Sequence, residues 1–218
     1  MADQLYLSLW FPNFRLDALP AAMVSVMRQF ALITKDPRVV AASTYPITFS
    51  EAPVYQRTYV LDDRLQDSTS SLIENAVAEA TEQLHDDTAY EFEMRWKLWT
   101  PDTSETQVTE SVALDTVWKP QQSTVRFLGF GPEFDDATYE QNGHIRIDLG
   151  LDTPWLAETL DDEALDADAA KHIQQNVEML LAFTLSIEKN SGISSRLLWT
   201  ESGEPLVQKL IDRLQRVN

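Results

Sequence analysis

Alternating hydrophobic and polar positions predict a series of β-strands along this chain. The clearest alternation runs from Tyr90 to Trp99, where apolar side chains occupy every second position and charged side chains occupy the others. A period of two is typical of a strand with one buried face and one face in water. The same pattern predicts strands over 5–10 and 145–151. We also predict strands over 38–43, 54–61 and 196–200, and a hairpin of 108–118 and 124–130 that turns at 119–122.

Apolar residues at spacings of three and four predict four helices, over 16–30, 71–84, 166–189 and 205–217. The elements up to Trp99 therefore follow the order β-α-β-β-α-β, which is the order of a ferredoxin-like unit. More strands, a long helix, a strand and a last helix come afterwards. We therefore predict an α+β fold with helices on one face of a mostly antiparallel sheet of about seven to eight strands.

The chain lacks the composition of a linker at any internal point. Its 218 residues include six glycines, and no Ser/Gly-rich tract separates the two halves. Strands are expected on both sides of the midpoint. We therefore predict a single α+β domain over residues 1–218.

The charge balance narrows the choice of partners. The chain has 17 Lys and Arg against 35 Asp and Glu, so its formal net charge is −18. A surface of this sign repels phosphate, and we expect neither nucleic acid nor an anionic membrane as a partner. The acids are concentrated in residues 132–168, where 12 of them accompany one arginine. Such a segment would steer a basic protein towards it, although it also suits solubility and the start of a helix.

Trp155 lies inside this acidic segment, and we predict it as an exposed aromatic anchor. Because burying unpaired carboxylates is costly, residues 152–168 are expected to form an exposed excursion. Asp161, Asp162 and Glu163 are its predicted binding residues. The first function hypothesis is a non-enzymatic interaction protein that binds a basic protein partner, such as an inhibitor, an antitoxin-like protein or a nucleic-acid mimic.

The alternative hypothesis is a small-ligand-binding or hydrolytic protein with an aromatic-lined pocket. Period two places His144, Arg146 and Asp148 on the same face of a strand, and Glu133 precedes that strand in the chain. A histidine beside a carboxylate can transfer protons near neutral pH. The ordinary interpretation of the same residues is the wet face of an antiparallel strand. Because no complete catalytic set is visible, the sequence leans against an enzyme.

Several other chemistries have no support in the sequence. The chain has no cysteine, which excludes disulfides, thiolate metal sites and cysteine nucleophiles. Its three histidines are far apart, and neither Gly129-Phe130-Gly131 nor the Gly192 region completes a phosphate or serine-hydrolase motif. His172 and Asn176, one helical turn apart, are interpreted as a surface pair. We therefore expect no metal ion and no cofactor.

The sequence also favours a cytoplasmic location. The first basic residue is Arg15, so the start of the chain lacks the charged region of a signal peptide. No apolar run approaches the roughly 18 residues that a spanning helix needs. The absence of cysteine agrees with a reducing compartment.

Overall fold

The structure is a computed structural model that describes residues 3–59, 71–101, 117–136, 138–156 and 167–202. Within these ranges the chain forms seven strands and five α-helices, with a 3-10 turn at Leu16–Ala18. The strands are β1 (Gln4–Trp10), β2 (Ala41–Pro46), β3 (Tyr55–Thr58), β4 (Thr88–Pro101), β5 (Trp118–Phe130), β6 (Ile145–Leu151) and β7 (Ser195–Thr200). The helices are α1 (Leu19–Thr34), α2 (Ile73–Ala80), α3 (Thr138–Asn142), α4 (Thr153–Leu156) and α5 (Ala167–Asn190).

The seven strands form one sheet in the order β3-β2-β4-β5-β6-β1-β7, and all neighbours pair antiparallel. The predicted α+β class is confirmed. Among the described residues the elements from β1 to β4 are a strand, a helix, two strands, a helix and a strand. The predicted ferredoxin-like order is not confirmed, because β5 and β6 lie between β4 and β1 in the sheet. The predicted helix over 205–217 lies outside the described residues, and the single domain over 1–218 stays a prediction.

The predicted turn at residues 119–122 is wrong. These residues belong to β5, which pairs without interruption with β4, and Pro120 lies opposite Trp99. A proline inside a strand costs a ladder hydrogen bond unless its nitrogen faces an open edge. The pairing of β5 with β6 covers only Arg126 to Gly129, so within the described ranges the first half of β5 has an open edge.

The larger core lies between the sheet and helices α1, α2 and α5. The alternating apolar positions of β1, of β4 up to Leu98 and of β6 up to Leu149 are buried in this core, as the pattern predicts. Leu151, the last apolar position of the predicted strand 145–151, is 48 % exposed. Phe30 of α1 is central, with its ring centroid 5.5 Å from that of Trp96, 5.3 Å from Phe127 and 5.2 Å from Phe183. The face of the sheet that these helices leave uncovered is called the open face below.

Asn176 joins three elements of this core. It is fully buried on α5; its amide nitrogen donates to the carbonyls of Trp99 and Pro154, and its oxygen accepts the Trp99 N–H. The expected surface pair with His172 is therefore wrong for Asn176. His172 itself stacks on Trp99, with ring centroids 3.9 Å apart.

The stretch Leu16–Thr34 is long and apolar enough, by length and composition, to cross a membrane, with a mean hydropathy of 1.3. The expectation that no stretch approaches this property is therefore wrong. In the structure one face of α1 packs on the sheet through Leu19, Met23, Val26 and Phe30. Core helices of soluble proteins and N-terminal signal sequences pass the same test. The cytoplasmic location thus stays a prediction.

Candidate functional site

Trp155 is not an exposed anchor. It lies on α4 with no accessible surface, and its ring centroid is 5.4 Å from that of Trp96. Neighbouring Asp152 is also buried, at 5 % exposure, and its Oδ1 accepts the backbone N–H of Asp3 at 3.0 Å. The start of the predicted excursion thus belongs to the core, because the indole gains more by burial than by exposure. Asp161, Asp162 and Glu163 lie outside the described residues.

A different acidic region comes together from three separate loops. Residues 46–54, 82–88 and 131–136 meet at one end of the sheet, and backbone hydrogen bonds link them. The N–H of Ile47 donates to the carbonyl of Asp87 at 2.6 Å, that of Glu133 donates to Asp86 at 2.7 Å, and that of Asp135 donates to Ile47 at 2.8 Å. We call these three loops the acidic loop surface.

The acidic loop surface carries seven acids and neither lysine nor arginine. Every one of the seven is exposed: Glu51, Glu82, Asp86, Asp87, Glu133, Asp135 and Asp136. His85 is the one other ionisable side chain in these loops. Charges of one sign held by linked backbone create a negative potential that extends into water by about one Debye length, roughly 8–10 Å at moderate salt.

Apolar side chains lie among these acids. Ile47 is 57 % exposed and Phe49 is 38 % exposed, although the Phe49 ring also contacts Phe134 at 5.0 Å between centroids. Ile47, Asp135 and Asp136 have left-handed backbone, with φ of 62°, 47° and 52°. A β-branched residue in this region is a genuine outlier. Such local strain clusters at functional positions.

The close approach of the loops depends on a glycine. A Cβ at Gly131 would lie 2.3 Å from the carbonyl oxygen of Asp86. Any larger residue would therefore push the third loop away from the second. In the sequence Gly131 directly follows the predicted strand 124–130; in the structure it allows two acidic loops to lie in contact.

A surface depression of about 350 Å³ opens beside the acidic loop surface. Its lining includes the aromatic residues Phe14 and Tyr139 and the acidic residues Asp17 and Asp86. Arg15 also lines it and lies 3.6 Å from Asp17, with both side chains largely in water. We call this depression the aromatic pocket.

His144 lies behind the aromatic pocket rather than within it. Its ring stacks on Phe14 at 4.2 Å and contacts Tyr139 at 5.3 Å between centroids. Its Nδ1 accepts the backbone N–H of Phe11 at 2.9 Å, so the neutral ring carries its proton on Nε2. Burial lowers the pKa of His144, which favours the neutral form at pH 7.

The structure does not bring His144 and its two predicted carboxylates together. Asp148 lies four residues along the strand, about 13 Å away, opposite Tyr6 and Arg126 on the open face. Its Oδ1 accepts the N–H of Gly150. Glu133 is exposed on the acidic loop surface. Among the described residues, no hydrogen bond joins His144 to either carboxylate.

Arg146 lies between His144 and Asp148 along the chain. Its guanidinium carbon lies 5.3 Å from the centroid of the Tyr6 ring and 5.4 Å from that of Phe130. Burial lowers its pKa, while the charges of Asp148 and Glu91 act in the opposite direction. Both rings are thus within cation–π distance of this guanidinium.

Within the parts of the chain that the structure describes, no three His, Asp or Glu side chains are grouped so that they could hold a metal ion. No family model, curated protein or solved structure matches this chain. The candidate site therefore depends on the chemistry of its own residues.

Sequence reasoning missed the acidic loop surface because its three loops are about 35 to 50 residues apart along the chain. A search for local acid density selects residues 132–168 instead. One signal was available: Asp86-Asp87 and Asp135-Asp136 both lie beside the ends of long alternating strands. Their proximity follows once β4 and β5 are known to pair with Ala89 opposite Phe130.

Proposed function

We propose that this protein is an interaction protein that binds a basic protein partner through the acidic loop surface. The observation that supports this most directly is the convergence of seven exposed acids, without lysine or arginine, around exposed Ile47 and Phe49. Acids steer a positively charged partner to the surface. Apolar groups within the charged rim then supply area that is dry on binding.

The net charge of −18 agrees with such a partner and opposes an anionic one. The segment with Asp161, Asp162 and Glu163 is a second acidic region of the sequence, and its negative charge would also attract the same partner. Trp155 has no direct role, because it is already buried in the free protein.

The test compares three triple variants that each remove three negative charges. The loop variant is Glu133→Gln, Asp135→Asn and Asp136→Asn; Asn tolerates the left-handed backbone of the last two positions. The matched control is Glu178→Gln, Glu188→Gln and Glu201→Gln, all exposed and outside the three loops. The third variant is Asp161→Asn, Asp162→Asn and Glu163→Gln.

Each protein is used to capture partners from a native lysate, and association rates of the captured protein are measured against sodium chloride. We expect wild type and control to capture a protein of positive net charge, and its association to slow steeply with salt. The loop variant should associate at least about tenfold more slowly at low salt. An uncharged or acidic partner, an equal effect of loop and control variants, or no captured protein at all would overturn the proposal.

A second candidate function, a small-ligand-binding or hydrolytic protein, is supported by the position of His144 behind the aromatic pocket. Hydrolysis of a chromogenic acetate ester tests the hydrolytic form of it. A rate that His144→Ala abolishes and His85→Ala preserves would support this candidate. Equal rates for the two variants would remove it.

A further inference from the structure

The aromatic pocket and the acidic loop surface are continuous. Asp86 belongs to the second acidic loop and also lines the pocket, as does Pro132 of the third loop. A chain that lies across the loops would therefore pass the opening of the pocket.

The pocket has the charge to hold a cation. Arg15 and Asp17 face each other at 3.6 Å and largely offset one another. Asp86 is exposed and makes no ion pair with any residue in the described ranges, so its carboxylate can pair with a cation. The guanidinium of Arg146 lies 5.4 Å from the ring centroid of Phe130, another residue of the pocket lining, and is the second positive charge that the pocket carboxylates face. His144 adds no charge behind the rings near neutral pH, because burial lowers its pKa.

The pocket also has the aromatic faces that an organic cation prefers. Phe14 and Tyr139 both line it. An ammonium or guanidinium group within about 6 Å of an aromatic centroid is attracted by the ring quadrupole. The protein already uses this interaction at Arg57, 5.1 Å from the ring centroid of Tyr59, and at Arg146, 5.3 Å from that of Tyr6 and 5.4 Å from that of Phe130.

We propose that the aromatic pocket receives one cationic side chain, an arginine or a lysine, of the bound partner. The aromatic rings contact its aliphatic stem and charged group, and Asp86 neutralises the charge. This deepens the proposed function and depends on it for the source of the side chain. In this arrangement the pocket selects partners that carry a suitably placed arginine or lysine, whereas the rest of the surface attracts any basic protein by charge.

The first experiment uses single amino acids as probes, so it requires no partner. N-acetyl-arginine amide, N-acetyl-lysine amide and N-acetyl-citrulline amide are titrated into the whole protein and followed by NMR. Citrulline has nearly the shape of arginine without its charge. We expect saturable shifts of the Phe14 and Tyr139 ring signals with one or both cations and none with citrulline. Shifts with citrulline of equal size, or no shift of these rings with either cation, would overturn the proposal.

The second experiment separates ring and charge in the pocket. Tyr139→Phe keeps an aromatic face, whereas Tyr139→Leu removes it; we expect Leu to weaken probe binding about two- to fivefold relative to Phe. Asp86→Asn should weaken binding by up to about fivefold. Glu82→Gln is its control, because it removes the same charge from the same loop outside the pocket lining. Equal effects of Asp86→Asn and Glu82→Gln would contradict a specific contact.

The two proposals fail in different ways. If loop neutralisation slows partner association while Tyr139→Leu and Asp86→Asn behave like their controls, the pocket proposal is wrong and the proposed function stands. If the amides bind the pocket while loop neutralisation leaves every partner unaffected, the proposed function is wrong; the pocket then binds a cationic group, but not one supplied by a partner on the acidic loop surface. The amide NMR spectrum of each variant checks that it is folded, and this spectrum should match that of wild type away from the substitution.

Discussion

The two sides of the sheet use aromatic residues in opposite ways. On the helix side, Phe30, Trp96, Phe127, Trp155 and Phe183 form a cluster without exposed surface. On the open face, at the end beside the acidic loop surface, the cluster is Tyr45, Phe49, Phe130, Phe134 and Tyr139, with Phe49 and neighbouring Ile47 exposed.

Both clusters consist of aromatic side chains, but the residues that surround them differ. Asn176 closes the helix-side cluster with three hydrogen bonds to β4 and α4. The open-face cluster is bordered by exposed carboxylates and by left-handed backbone at Ile47, Asp135 and Asp136. The comparison teaches that the helix side supplies stability, whereas the loop end keeps apolar and acidic groups accessible. The predictions below test this division.

The largest effect is expected from Trp155→Ala. Removing a fully buried indole leaves a cavity beside Trp96, and we expect the free energy of unfolding to fall by about 3–5 kcal/mol. Phe49→Ala, on the other side of the sheet, should cost about 1 kcal/mol, since that ring already meets water. Urea unfolding of both variants measures the difference. Similar losses for the two would contradict the division between a stability side and an accessible side.

The next effect concerns the border of the helix-side cluster. Asn176→Ala leaves the N–H and carbonyl of Trp99 and the carbonyl of Pro154 without their partner. We expect a loss of about 2–3 kcal/mol, because buried backbone groups left unpaired are costly. Asn190→Ala, on the exposed end of the same helix, should stay within about 0.5 kcal/mol of wild type. A loss for Asn176→Ala no larger than that of Asn190→Ala would show that the three hydrogen bonds of Asn176 contribute nothing to stability.

Much of the helix side could be predicted from the sequence. The alternation from Tyr90 to Trp99 identified β4 and its buried face, and the spacings of three and four identified α1, α2 and α5. These patterns are local, and each is set by one element packing against another. The prediction for Trp155 was wrong because its burial is not a local property. A single tryptophan among acids gives no sign in the sequence of which elements cover it.

The loop end could not be predicted, because it depends on strand pairing over long distances in sequence. Nothing local to Asp86 shows that Glu133 donates a hydrogen bond to it, or that Gly131 is needed to admit that contact. Proline at 120 was interpreted as a turn, although an open strand edge accepts it equally well. The roles of His144, Asp148 and Glu133 stay predictions, and the structure shows them apart.

Strain in the acidic loop surface predicts a substitution that stabilises the protein. Ile47 has φ of 62°, a region that costs an ordinary L-residue roughly 1–2 kcal/mol and glycine almost nothing. After the entropy that glycine adds to the unfolded chain, we expect Ile47→Gly to raise the free energy of unfolding by about 0.5–1 kcal/mol. Val54→Gly is the control, since Val54 is also exposed and lacks positive φ; it should destabilise. Destabilisation by both would indicate that Ile47 is not strained.

The smallest effect concerns Glu91, a half-buried residue of β4 on the open face of the sheet. Burial raises its pKa, despite the opposing charge of Arg126. Because the pKa of Glu91 is higher in the folded state than in the unfolded state, its ionisation at neutral pH lowers the free energy of unfolding. This loss of stability disappears as the pH falls through the raised pKa towards the unfolded value near 4.5. We therefore expect Glu91→Gln to be more stable than wild type at pH 7, by up to about 1 kcal/mol after allowance for solvent screening. The difference in free energy of unfolding between Glu91→Gln and wild type, measured by urea unfolding at each pH, should shrink from pH 7 to pH 4.5.

Glu93→Gln, which removes an acceptor 3.3 Å from the Nε of Arg126, is the matched control and should show no gain in stability at pH 7. A gap that widens on acidification would mean that Glu91 is stabilised as a carboxylate, and that the charges of the open face are paired rather than held at a cost.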